Sequence, residues 1–231
     1  MDLRSLFQKG YSVTKIEKSL ADKVLEAMPR QTFKYPDKIT QKEHPMYHSD
    51  TGLFYCECVT PFTSDQPPLM GRGFHEGDLD FFTEFWGLIS SSETYKWYRE
   101  SFGPVTRFSK QMHDFKKGES LGFHFDYKDA TPFINILYVG DDDFTEGDGG
   151  YLEVGKCRVT DGFEIIRDSI EVTGRIFPNH GTLVTLNNMT PYFVHSVARL
   201  MSSKKRYSFI CQFGHKENEL YSLISKGWNI R

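Results

Sequence analysis

Gly122-Phe123-His124-Phe125-Asp126 is the stretch whose reading decides the fold. In an extended segment successive side chains alternate between faces, so His124 and Asp126 point to the same side. A second stretch, Phe193-Val194-His195-Ser196-Val197, offers another histidine with strand-like residues around it. Brought alongside, the three side chains place two imidazoles and a carboxylate on one face of a metal ion, with the opposite positions open. Eleven residues beyond His195 stands Arg206, followed by Ser208, in the apolar run Tyr207–Phe213. That alternation presents a cation and a hydroxyl on one strand face, a pairing suited to a carboxylate at the bottom of a pocket.

The order His124-x-Asp126 … His195-x10-Arg206-x-Ser208 resembles the Fe(II)/2-oxoglutarate-dependent dioxygenases, in particular the branch shaped like prolyl 4-hydroxylases. The resemblance runs from about Thr106 to Phe213 and includes Gly149-Gly150-Tyr151-Leu152-Glu153-Val154, similar to a Gly-Gly strand between the two ligand segments. It implies His124, Asp126 and His195 as metal ligands and catalytic residues. It also implies Arg206 and Ser208, with Tyr138, as the cradle for the distant carboxylate of 2-oxoglutarate. Phe115 stands where many relatives carry tyrosine. Phe115, Phe123, Phe125 and Leu186 are candidates for an apolar, water-poor lining. The implied cofactors are Fe(II) and 2-oxoglutarate, with ascorbate as a candidate reductant. O2 and a peptide or small-molecule substrate are the implied partners, and the reaction is hydroxylation of an unactivated C–H in a peptidyl residue (a prolyl residue among the choices), an amino acid or a metabolite, with release of succinate and CO2.

Eight histidines and 16 aspartates in 231 residues produce roughly half a chance His-x-Asp match. A second match, His48-Ser49-Asp50, does occur, in a turn-rich region without strand alternation, and reads as a decoy. His215-x-Glu217 follows the last strand, with no further ligand-bearing strand downstream. The full constellation carries the specificity. Asp126 argues against a halogenating relative, which has a small residue there. Gln212 stands where nucleic-acid demethylases of this fold carry a second arginine. The competing reading from another class is a metal-binding jelly-roll module without oxygenase activity, which needs neither Arg206 nor Ser208.

Composition agrees with a β-rich chain. Aromatics make up 15%, with 20 Phe and 12 Tyr, residue types that favour strands and fill broad sheet interfaces. A formal charge of −3 argues against a polyanionic partner. There is no secretory h-region at the N-terminus and no apolar run long enough to span a membrane, so a cytoplasmic protein is expected. Cys56, Cys58, Cys157 and Cys211 show no disulfide or metal framework.

Along the chain, residues 1–14 read as an extended entry with Tyr11-Ser12-Val13 at a sheet edge. Thr14 with Glu17 reads as a capping box opening a helix that Pro29 stops. Residues 30–77 form a proline-broken covering region holding one strand, Leu53–Val59, and a scatter of substrate-rim candidates. Helices are expected from Asp78 to Ile89 and from Thr94 to Phe102. Strands begin after Val105, with a hairpin-like turn at Lys116–Glu119 and a buried strand at Phe133–Val139. The acidic stretch 141–148 lacks calcium-loop spacing and reads as solvated. A hairpin over 156–175 is centred on Arg167-Asp168. The expectation is one domain over 1–231, with a helical and loop part (1–104), a jelly-roll core (105–214) and a tail (215–231). Its class is α+β: a double-stranded β-helix, or jelly roll, with helices packed on the larger sheet.

Overall fold

A computed structural model describes residues 2–32, 53–58, 79–103, 107–115, 117–126 and 132–214. Its order is α1 (Leu3–Lys9), β1 (Tyr11–Lys15), α2 (Lys18–Thr32), β2 (Leu53–Cys58), α3 (Leu79–Ser90), α4 (Glu93–Phe102), β3 (Arg107–Phe115), β4 (Leu121–His124), β5 (Phe133–Gly140), β6 (Leu152–Val159), β7 (Ile165–Ile176), β8 (Thr182–Asn187), β9 (Phe193–Val197) and β10 (Arg206–Gly214). A six-stranded sheet runs β1-β8-β5-β10-β3-β2 and a four-stranded sheet runs β4-β9-β6-β7. Among the described residues, neighbouring strands pair antiparallel in both. Helices, a large sheet and a small sheet make a jelly-roll-like α+β arrangement.

Two apolar layers follow from strand alternation. On one face of the large sheet Phe133, Leu137, Val139, Leu183, Phe209, Cys211 and Phe213 pack against α2, α3 and α4. Edge-to-face rings join them, with Phe85 on Phe209 at 5.2 Å and Tyr95 on Phe213 at 5.0 Å. Phe85 and Trp86 of α3 and Tyr95 and Tyr98 of α4 are therefore core. The alternate residues of the same strands, Ile134, Ile136, Tyr138, Val184, Leu186 and Ile210, face the small sheet's Leu152, Val154, Ile176 and Val197. β5 is buried on both faces along nearly its whole length, which is why its sequence is a continuous apolar run.

Five local expectations are corrected. Residues 3–9 are helical: the Asp2 carboxylate accepts the Arg4 N–H, and Gly10 closes the end at φ 89°. Tyr11–Lys15 does pair at the sheet edge, with β8. Thr14 belongs to that strand, opposite Leu183, so ladder bonds displace the capping box. α2 begins at Lys18 and includes Pro29. Lys116–Glu119 does not close a hairpin, since β3 lies in the large sheet and β4 in the small one. The 156–175 hairpin turns earlier than expected: Phe163 N–H donates to the Thr160 carbonyl and Thr160 N–H to that of Glu164. Asp161-Gly162 supplies the turn residues, whereas Arg167 and Asp168 lie within β7.

The acidic stretch ends in a short 3-10 turn, Glu146–Asp148. Lys204 reaches Asp143 and Asp148, both at 3.0 Å. Among the described residues, no helix is long and apolar enough to cross a membrane. His48, Asp50, His215, Glu217 and the expected substrate rim at 33–52 and 59–78 lie outside the described residues.

Candidate metal centre and anion cradle

His124 ends β4 and His195 lies mid-β9, directly opposite each other across the small sheet. Val154 of β6 faces His195 from the other side and belongs to the layer between the sheets. The histidines consequently look into that layer. Asp126 follows two residues after β4. His124 Nε2 lies 3.9 Å from Asp126 Oδ1, and His195 Nε2 lies 3.5 Å from Asp126 Oδ2. One donor atom from each residue falls within 4.8 Å of the others. The two histidine–aspartate separations match the expected ~3–4 Å for ligands that surround one ion at roughly 2.0–2.2 Å. The full set is slightly looser.

The chemistry of this set fits a cation. The His124 Nδ1 atom sits 2.8 Å from the Gly122 carbonyl oxygen, so Nδ1 carries the proton and Nε2 presents a lone pair. Burial, reinforced by the neighbouring His124, holds His195 well below the usual imidazole range and hence neutral. Burial raises the Asp126 carboxyl, an effect that His124 partly opposes. Three acceptor atoms thus converge at distances too long for good hydrogen bonds. A dication between them satisfies all three. Side-chain exposure rises from 12% at His195 to 28% at Asp126 and 31% at His124, so the cluster opens toward one side.

A second polar feature lies deeper in the same layer. Arg206 is 1% exposed. Its Nε–H donates to the Gly150 carbonyl at 2.6 Å, while its Nη1 has no hydrogen-bond partner. The guanidinium carbon stands 4.5 Å from the Phe115 ring centre and 5.0 Å from that of Tyr138. Burial lowers the Arg206 pKa and raises that of Tyr138, and in each case the neighbouring partner opposes the shift. Ser208, also buried, stands directly opposite Tyr138 across β10 and β5. A buried charged donor without an acceptor is costly. Along β6 the Leu152–Val197 pair comes between Gly150, which binds Arg206, and the Val154–His195 pair.

The structure therefore brings together His124, Asp126 and His195 in one cluster, and Arg206, Tyr138 and Ser208 in another. Leu186 is buried in the intervening layer and Phe115 lies against the guanidinium. Phe123 and Phe125 are half-buried. Sequence reading missed Asn188, whose side chain meets the main chain of Asp126. The available signal was the Asn187-Asn188 pair closing an apolar strand.

These features define a jelly-roll-like protein with a two-histidine, one-carboxylate cluster and a buried arginine. The fold is that of the prolyl 4-hydroxylase-like 2-oxoglutarate oxygenases. A Pseudomonas putida prolyl 4-hydroxylase superposes with a TM-score of 0.56 at 16% identity, over 92% of this chain and 96% of the other. A Trichoplax adhaerens prolyl hydroxylase, solved with a hypoxia-inducible-factor peptide fragment, gives 0.58 at 13% identity, over 95% and 89%. A prolyl 4-hydroxylase from Phytophthora capsici gives 0.54 at 14% identity, over 94% of this chain and 62% of that one. No protein-family profile and no curated protein matches the sequence.

Proposed function

We propose that this protein is an Fe(II)- and 2-oxoglutarate-dependent oxygenase that hydroxylates an unactivated C–H of a peptidyl residue. The observation that carries this reading is Arg206: a buried guanidinium with an unpaired Nη1 edge, in the layer onto which the His124–Asp126–His195 cluster opens. A metal-binding jelly roll without oxygenase activity has no use for such a group. The reading takes residues 1–231 as one domain with a double-stranded β-helix core. The choice of a peptidyl substrate rests on the hydroxylases of like fold, one of them in complex with a peptide fragment.

In this reading His124 and His195 would hold Fe(II) through Nε2 and Asp126 through a carboxylate oxygen. When bound, Fe(II) with O2 would supply an oxidation in which 2-oxoglutarate loses CO2 and becomes succinate, one oxygen atom entering succinate and the other the substrate C–H bond. The protein's own residues bind, orient and keep water out. Arg206 receives the distal carboxylate of 2-oxoglutarate on its free edge, where low local polarity strengthens a charge-assisted contact. Tyr138, neutral because it is buried, and Ser208 can donate hydroxyl hydrogens to the same carboxylate. Phe115 backs the guanidinium, and Leu152, Val197 and Leu186 keep the intervening space apolar.

The test is succinate formation by the protein with Fe(II), 2-oxoglutarate, O2 and ascorbate, together with 2-oxoglutarate binding under anaerobic conditions. Arg206→Ala should weaken 2-oxoglutarate on the order of 100-fold, the worth of a bidentate charged contact of a few kcal/mol. Its Fe(II) affinity should be almost unaltered. An unaltered 2-oxoglutarate affinity in that variant would reject the assignment.

A further inference from the structure

The carboxylate of the metal cluster comes from a residue that has left its strand. β4 stops at His124, and Asp126 lies two residues beyond, past the end of the β4–β9 ladder. Its main chain is nevertheless held at both ends. Asp126 N–H donates to Asn188 Oδ1 at 3.1 Å, and Asn188 Nδ2–H donates to the Asp126 carbonyl at 3.0 Å. One carboxamide thus meets the donor and the acceptor of a single residue, as a neighbouring strand would in a ladder.

Asn188 is itself fixed. It directly follows β8, is 6% exposed, and its N–H donates to the Pro132 carbonyl at 2.8 Å. The preceding residue is tied down too: the Asn187 N–H donates to the Gly10 carbonyl and its Oδ1 accepts the Met189 N–H. The clamp therefore refers Asp126 to the rigid large sheet, whereas the two histidines belong to the small one.

We infer that Asn188 is a positioning residue for the metal centre: by pairing both main-chain groups of Asp126, it sets where the carboxylate stands relative to His124 and His195. The inference rests on the functional reading above insofar as these three residues hold a metal. Asn188 does not contact the ion. Its contribution is that of an outer partner that orients a ligand, a class of contact whose loss typically lowers metal affinity about 10–100-fold. Only an amide side chain of this length offers a donor and an acceptor in one plane. Aspartate lacks the donor and serine cannot reach both groups.

The test uses the full chain and Mn(II) alone as probe, followed by the paramagnetic resonance signal of the free ion. Asn188→Ala should weaken Mn(II) binding by about 10–100-fold, at a temperature where melting shows the variant folded. Asn188→Ser does the same service if the alanine variant does not fold. Both substitutions are repeated in an Asp126→Ala background, which keeps the clamped main chain and removes the carboxylate. There the loss should shrink to less than about twofold, because no ligand remains to be placed. Equal losses in both backgrounds would mean that Asn188 supports the fold generally, and would overturn the inference. So would wild-type Mn(II) affinity in Asn188→Ala. Absence of Mn(II) binding by the unaltered protein would instead remove the functional reading, and this inference with it.

Discussion

Gly150 offers the most searching single substitution, because its carbonyl accepts the buried Arg206 Nε–H. Its φ is +65°, and a Cβ there would lie 2.9 Å from Leu200 Cδ1 and 3.1 Å from Arg206 Cδ. Both neighbours are 1% exposed, so neither can swing into solvent. Alanine in the left-handed region costs about 1–2 kcal/mol, and overpacking adds roughly 1–3 kcal/mol. Taking about 2–5 kcal/mol in total, the melting temperature of a chain this size should fall by roughly 4–20 °C. The stability loss alone is unremarkable. The informative quantity is 2-oxoglutarate affinity, measured anaerobically with Fe(II) well below the melting temperature. A displaced guanidinium should weaken it by at least about tenfold, or ~1.4 kcal/mol. Gly162→Ala is the control, since an added Cβ there meets only Thr160 Oγ1 at 3.8 Å. If Gly150→Ala melts early yet binds 2-oxoglutarate within twofold of the unaltered protein, the Gly150 carbonyl does not set the guanidinium.

Tyr138→Phe should weaken 2-oxoglutarate by about tenfold or less, the worth of one hydrogen bond, and leave metal affinity unaltered in the same titrations. Phe209→Ala, at a fully buried ring packed on Phe85, should cost about 3–5 kcal/mol in urea unfolding. A loss below 1 kcal/mol would mean the helices are not seated on the sheet as described. Asp148 gives the pH prediction. The Thr145 hydroxyl, then Lys204, then the Thr145 N–H hold its carboxyl well below the ordinary carboxylate range. A depressed carboxylate stabilises the fold above the unfolded value of about 3.9, and the effect is lost as pH falls through the lower folded value. Asp148→Asn should therefore be less stable than the parent at pH 6, with the gap closing below about pH 4. A gap that stays constant down to pH 2 would refute the linkage.

The centre of the molecule was legible where a two-residue period coincided with buried chemistry. His124 and Asp126, and then Arg206 and Ser208, repeat at strand spacing, and β5 announces itself as an unbroken apolar run. α3 and α4 were equally readable, because their apolar stripes are long and Ser92 and Gly103 mark the ends of α4. Short-range signals failed where long-range pairing overrode them. Thr14 and Glu17 have the form of a cap, yet β8 recruits Thr14 into a ladder some 170 residues away in sequence. Arg167-Asp168 looked like a turn between two apolar runs, although Asp161-Gly162 was the better turn pair. α1 is only seven residues long, too short for a stripe to declare itself. Asn188 was unreadable for a different reason: its importance depends on a main chain 62 residues away.

The strand order of the large sheet has a consequence for biogenesis. β10, the last described strand, sits between β5 and β3. Until it emerges, the pairs β2–β3 and β5–β8 have no ladder joining them, and β1 must wait for β8. At ~5–20 residues per second, synthesis as far as Gly214 takes on the order of 10–40 s, during which both faces of β5 lack their final cover. A nascent chain arrested before Arg206 should accordingly be cut readily by protease within β3 and β5, and become resistant once β10 is made. The strand that closes the large sheet also carries Arg206, so the buried guanidinium and the completed sheet arrive in the same event.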